Sequence, residues 1–126
     1  EWAPGTGRHG YHLFVFYYDA DSFGGAPRKS LVDALNAELG SEDLVGELYP
    51  RLLYETSMFD CERMTVAGAP GRTFRFHECP HAERASRSAV MIHQRALLAE
   101  NNALDYVVES IRKIQKHAAD LVTTTC

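Results

Sequence analysis

Residues 11–18, YHLFVFYY, leave few folds open to this chain. Aromatic and β-branched residues at this density favour a pleated strand. In a strand, Leu13, Val15 and Tyr17 point one way, while His12, Phe14, Phe16 and Tyr18 point the other. Both sets are largely apolar. Such a strand is covered on two sides, or carries an outer face that meets another domain. The chain has 126 residues, 45% of them hydrophobic and 24% charged. That is enough for one globular domain, residues 1–126, with one modest core.

The elements around this strand follow from periodicity. A polar, Gly-rich connection occupies residues 19–26. Pro27 then suits the first turn of a helix reaching about Leu39, closed by Gly40, with Leu31, Val32, Leu35 and Leu39 as its buried stripe. Residues 44–49 read as a short strand stopped by Pro50. Residues 51–73 show poor periodicity, and AGAPG at 67–71 marks a turn. An irregular region of this length lines a site or packs on a partner. Pro80 sits near the start of a further helix with a small-residue face of Ala82, Ala85 and Ala89. AVMIH, residues 89–93, reads as a strand. Asn102 is expected to cap a last helix, with Asp105 three residues on. Leu104, Val107, Val108, Ile111, Ile114, Ala118 and Leu121 recur at helical spacing over about five turns. Glu109 and Lys113 form an i,i+4 pair in the favourable order. The expected class is α+β, a small sheet covered by helices, without internal repeats.

Several functional classes fit poorly. The formal net charge is -4, and the 13 Lys and Arg residues are dispersed. The tightest basic group, Arg112, Lys113 and Lys116, reads as a solvated helix face, so no nucleic-acid partner is expected. No run of 18 apolar residues indicates a membrane span, and EWAPGTGRHG lacks the regions of a signal peptide. The first residue is not methionine, so the chain reads as a processed product or a piece of something longer. Three cysteines, Cys61, Cys79 and Cys126, leave an odd thiol and fit a cytoplasmic location.

FRFHECPHAERA, residues 74–85, places His77, Cys79 and His81 at every second position. On an extended segment they would share a face, with Cys61 as a conceivable fourth zinc ligand. Alternate residues in one row close a tetrahedron poorly, however, and Pro80 breaks the strand before His81. The favoured reading has no metal: Cys79 is a small buried residue, His81 helps start the helix, and Glu83 lies in its first turn. A Cys–His nucleophile lacks an accompanying oxyanion arrangement. Gly24 and Gly25 lack the context of a phosphate loop. YPRLLYETSMF, residues 49–59, offers Tyr49, Tyr54, Phe59 and Arg51. These side chains could present hydroxyls and a guanidinium to a polar ligand, or simply anchor the loop.

The order YHLFVFYYD, amphipathic helix, YPRLLYETSMF, CPHAERA, IHQRALL and ESIRKIQKHAADL resembles the C-terminal small domain of the DegT/DnrJ/EryC1/StrS aminotransferases. CPHAERA is similar to that family's Cys-Pro-x-Ala-Glu-Arg pattern, and the resemblance covers nearly the whole chain. It implies an enzyme that moves an amino group onto a keto sugar or cyclitol ketone with pyridoxal 5'-phosphate (PLP). It also implies a homodimer, and a large domain carrying the Schiff-base lysine. Lys29, Lys113 and Lys116 do not stand in that lysine's context, so this chain alone is expected to be inactive and to hold no catalytic residue. By the family's pattern, Tyr49, Arg51, Tyr54 and His93 are candidates to approach substrate, although Ile92 replaces the proline often found before the histidine. The other reading is a freestanding, non-catalytic module that binds a protein or ligand.

Overall fold

In a computed structural model, residues 4, 5, 7, 12–57, 78–99 and 102–123 are described. LFVFY forms strand β1, Leu13–Tyr17, and the five-residue AVMIH forms β3, Ala89–His93. Between them in sequence lies the short β2, Val45–Glu47. The sheet order is β1-β3-β2, antiparallel throughout, with β3 at the centre. Phe14 lies opposite Ile92 and Phe16 opposite Val90, and Val45 also faces Ile92. This register gathers Phe16, Val90, Ile92 and Val45 on one face, where the core forms.

Helix α1, Arg28–Glu38, covers that face. Leu31 and Leu35 are fully buried and Val32 nearly so, as their spacing requires. Burying side chains of this size stabilises by roughly 2 kcal/mol each. Pro27 sits one place earlier than expected, in extended backbone just before the helix, where its missing N–H costs nothing. Gly40 follows the helix at φ +62°, a left-handed position suited to a residue without Cβ. The connection from β1 is a short 3-10 turn, Ala20–Phe23, opened by Asp19, which accepts from the Asp21 amide and the Ser22 hydroxyl. Tyr18 fixes this connection by donating its hydroxyl to the Ala26 carbonyl at 2.7 Å, with its ring tilted against Phe23.

β2 ends one edge of the sheet, and Asn36 of α1 occupies part of that edge. Its amide nitrogen donates to the Val45 carbonyl and its oxygen accepts from the Val45 amide, both at 2.9 Å. The side chain thereby replaces the missing strand at one residue.

Pro80 opens α2, Pro80–Ser88, at the first-turn position, and Glu83 stands in that turn. One expectation here fails. Cys79 is exposed rather than buried, because it caps the helix at the surface. Of the small-residue face, Ala89 is buried, Ala85 half-buried and Ala82 exposed, so the face narrows towards the sheet.

A short turn of helix, α3, Gln94–Leu97, precedes α4, Ala103–Lys116. The long final helix expected from periodicity is two helices: the chain breaks at His117 and resumes as α5, Ala118–Thr123. The break lets Ala118 and Leu121 stay against the core. It also sets the buried face of α4 on Val107, Ser110 and Ile114, leaving Leu104 and Val108 half in solvent. Asn102 precedes α4 but its side chain makes no capping bond, because its backbone is already helical in character. Lys113 reaches Glu38 on α1 at 2.7 Å rather than serving Glu109. Arg112, Lys113 and Lys116 are exposed, as a solvated face requires.

The outer face of the sheet is much less covered than the core face. Val15 is 41% exposed and Tyr17 69%, and Phe14 at the sheet margin is 40% exposed. This matches the two-sided apolar character of the β1 sequence. The fold is a small α+β domain, a three-stranded antiparallel sheet with five α-helices among the described residues.

Candidate functional site

β2 leaves the sheet at Glu47, and the Leu48 amide makes one more bond to the Ala89 carbonyl at 3.1 Å. The next residue, Tyr49, takes φ +43°, the left-handed region. Among the described residues no other non-glycine does so. The turn throws the Tyr49 side chain outward, where it is 77% exposed. The loop then folds back on α2 through a 3-10 turn, Leu53–Glu55.

Between this loop and α2 lies a groove of about 490 Å³, lined mainly by apolar atoms. Leu48, Leu52 and Leu53 form one wall and Ala82 and Ala85 the other, with Tyr49 and Arg51 contributing to the lining. The small residues of α2 therefore have a use beyond helix packing: they leave the groove open. On the other side of α2 is a cleft of about 770 Å³ of mixed polar and apolar lining, where Tyr17 and Asp19 face His81, Arg84 and Arg87. Its charges are of both signs.

The four residues singled out from the sequence are not brought together. Tyr49 and Arg51 share the groove. Tyr54 stands beside it with its hydroxyl donated to Glu83 Oε1 at 3.1 Å, while Glu83 Oε2 takes Arg87 at 3.3 Å. Loss of hydration, and then the Glu83 carboxylate, push the Tyr54 phenol above its ordinary value of 10.0. Its hydroxyl thus ties the loop to α2. His93 is exposed at the opposite end of β3, about 13 Å of strand away. Its amide bonds to the Leu44 carbonyl, and its neighbours are Asp43 and Arg95. The Arg95 guanidinium on Asp43 holds that carboxyl below the usual carboxylate range, against the opposing effect of lost hydration.

Periodicity did not reveal the group that holds the loop in place. Arg28, in the first turn of α1, is 10% exposed and donates from Nε to Glu47 Oε1 at 2.8 Å. Its Nη1 donates to the Ser86 carbonyl at 2.6 Å and to the Ala89 carbonyl at 3.1 Å. Ser86, itself buried, donates its hydroxyl to the Tyr49 carbonyl at 3.0 Å. A signal for Arg28 was available: a cation in the first turn of a helix opposes the helix dipole and calls for a carboxylate elsewhere.

Phe59, His77 and Cys61 lie outside the described residues. Among the described residues no group of three His, Cys, Asp or Glu side chains is placed to hold a metal ion. No described helix is long and apolar enough to cross a membrane. The lysines do not suit a Schiff base with PLP: Lys29 is exposed on Asp33, Lys113 is exposed on Glu38, and Lys116 is exposed on α4. A cofactor aldehyde needs a lysine inside an enclosed, polar site. These residues do not provide one.

No protein-family model matches the chain, and no solved structure does. One curated protein is similar. It is an aminotransferase. Named L-glutamine:2-deoxy-scyllo-inosose aminotransferase, from Streptoalloteichus tenebrarius, it is 26% identical over 124 residues. The match takes in 94% of this chain and 28% of that protein. The chain is thus a distant relative of an aminotransferase, spanning a little over a quarter of the relative's length.

Proposed function

We propose that this chain is the C-terminal portion of a PLP-dependent aminotransferase that moves an amino group to a keto sugar or cyclitol ketone. The supporting observation is the pattern of coverage: nearly all of this chain aligns with just over a quarter of an aminotransferase. The exposed sites of all three lysines agree with a division of labour in which the cofactor is held by a separate large domain. The half-covered outer face of the sheet agrees with a neighbouring domain or subunit, and the parent is proposed to be a cytoplasmic homodimer.

In this reading the chain contributes binding and shape rather than proton transfer. Tyr49 offers a hydroxyl and Arg51 a guanidinium from one groove, groups that suit a polyhydroxylated ketone or the carboxylate of an amino donor. Tyr54 acts on substrate indirectly, by holding the loop through Glu83. His93 belongs to a different part of the surface and would meet substrate only from the far end of β3. PLP supplies the electron sink for amino-group exchange; this chain's residues take no covalent part.

The test is an assay of the intact gene product with PLP, glutamine or glutamate, and a panel of keto sugars and keto cyclitols. Acceptor-dependent formation of the donor's keto acid is the expected result. A purified, PLP-saturated product with no donor turnover against any acceptor would refute the proposal and favour a binding module.

A further inference from the structure

We infer that Ser86, backed by Arg28, is a positioning residue that locks Tyr49 in the conformation that presents its ring beside the groove; the bearing on substrate rests on the function proposed above. Local sequence works against the conformation seen. A β-carbon makes φ +43° unfavourable, and Pro50 biases the residue before it towards extended backbone. Left to itself, Tyr49 would turn to negative φ and its ring would leave the groove. Strain of this kind persists where surrounding contacts over-determine it, and it gathers at functional positions.

Those contacts are on both sides of Tyr49. Before it, the Leu48 amide is held by the Ala89 carbonyl. After it, the Tyr49 carbonyl is held by the buried Ser86 hydroxyl at 3.0 Å. Both anchors are secured by one guanidinium, because Arg28 takes the Ala89 and Ser86 carbonyls together and is itself fixed by Glu47. Residues 28, 47, 86 and 89 come from α1, β2, α2 and β3. Four elements are therefore recruited to hold one exposed tyrosine in an unfavourable backbone state. A tyrosine serving only as a loop anchor would be covered; this one is 77% exposed.

The experiment compares Ser86→Ala, Tyr49→Ala and the double variant in the intact gene product, labelled with 3-fluorotyrosine. The Tyr49 fluorine signal is assigned by its loss in Tyr49→Ala. Loss of one neutral hydrogen bond corresponds to about a fivefold change in an equilibrium. Ser86→Ala should shift or broaden the Tyr49 signal while Tyr17 and Tyr106 stay fixed. It should raise the acceptor KM about fivefold with kcat nearly unchanged, and have no further effect in the Tyr49→Ala background. A Tyr49 signal unmoved by Ser86→Ala overturns the lock. A signal that moves without any change in KM, or in a product that does not transaminate, leaves the lock standing and overturns its bearing on substrate. If Ser86→Ala does not fold, Tyr49→Gly serves instead. Glycine accepts positive φ unaided, so Ser86→Ala should fold once that strain is removed; a double variant that still fails overturns the lock.

Discussion

Replacing Arg28 by methionine should be among the most costly single changes outside the apolar core. The guanidinium is 10% exposed and serves three acceptors, the Glu47 carboxylate at 2.8 Å and the Ser86 and Ala89 carbonyls at 2.6 and 3.1 Å. Methionine keeps much of the stem's volume but removes every donor. Breaking a fully buried ion pair costs about 3–5 kcal/mol. Glu47 is 28% exposed and regains some water, and the Ala89 carbonyl keeps its bond from the Leu48 amide. The Ser86 carbonyl loses a strong partner, which adds about 1 kcal/mol or more. Together these give a loss of about 2–4 kcal/mol, or a melting temperature about 10 °C lower for a domain of this size. The assay is urea and thermal unfolding followed by circular dichroism. Glu47→Gln keeps an acceptor for Nε and should cost about 1 kcal/mol. The double change Arg28→Met with Glu47→Leu should recover most of the loss, because no charge is then left stranded. A shift below about 2 °C for Arg28→Met would refute the claim that this network holds the loop and α2 to the sheet.

Other substitutions report on separate features. Asn36→Ala removes both bonds to Val45 and should cost about 2 kcal/mol, with faster hydrogen exchange confined to the Val45 edge of β2. Lys113→Ala should change stability by less than about 1 kcal/mol in urea titrations, because its pair with Glu38 is exposed. Tyr18 and Tyr54 should ionise above the ordinary tyrosine value of 10.0 in an alkaline absorbance titration. Burial raises the Tyr18 phenol, with Asp19 adding to it, and burial with Glu83 raises Tyr54. Because the folded values lie above the unfolded value near 10.0, this stability is complete below pH 10 and falls as pH rises through the folded values. Tyr18→Phe should flatten that alkaline loss.

Much of the fold could be read directly from spacing. Alternation placed Phe14, Phe16 and Tyr18 on one side of β1, and helical spacing found Leu31, Val32, Leu35, Val107 and Ile114. Pro80 marked the start of α2 through backbone chemistry alone. These features depend on near neighbours in sequence. The break at His117 does not: IRKIQKHAADL contains neither Gly nor Pro, and the helix divides so that Ala118 and Leu121 can remain on the core. The same holds for Lys113, which found Glu38 across the domain because α1 and α4 pack side by side.

The site was legible as a list of residue types but not as an arrangement. Tyr49, Arg51 and Tyr54 share a loop, so their proximity follows from sequence. Their division into two groove residues and one anchor depends on Glu83, twenty-nine residues beyond Tyr54. The separation of His93 depends on which end of β3 meets Leu44 and which meets Leu48. Arg28 at the start of α1 calls for a carboxylate, but nothing in its neighbourhood says which one. The partners themselves, Glu47, Ser86 and Ala89, are set by the fold.

The most direct test of the central claim is the intact mass of the freshly expressed gene product, taken with its visible absorbance after addition of PLP. The account predicts a mass well above the 14.1 kDa of this chain and a cofactor band that borohydride abolishes. A product of only this mass, with no cofactor band, would contradict it.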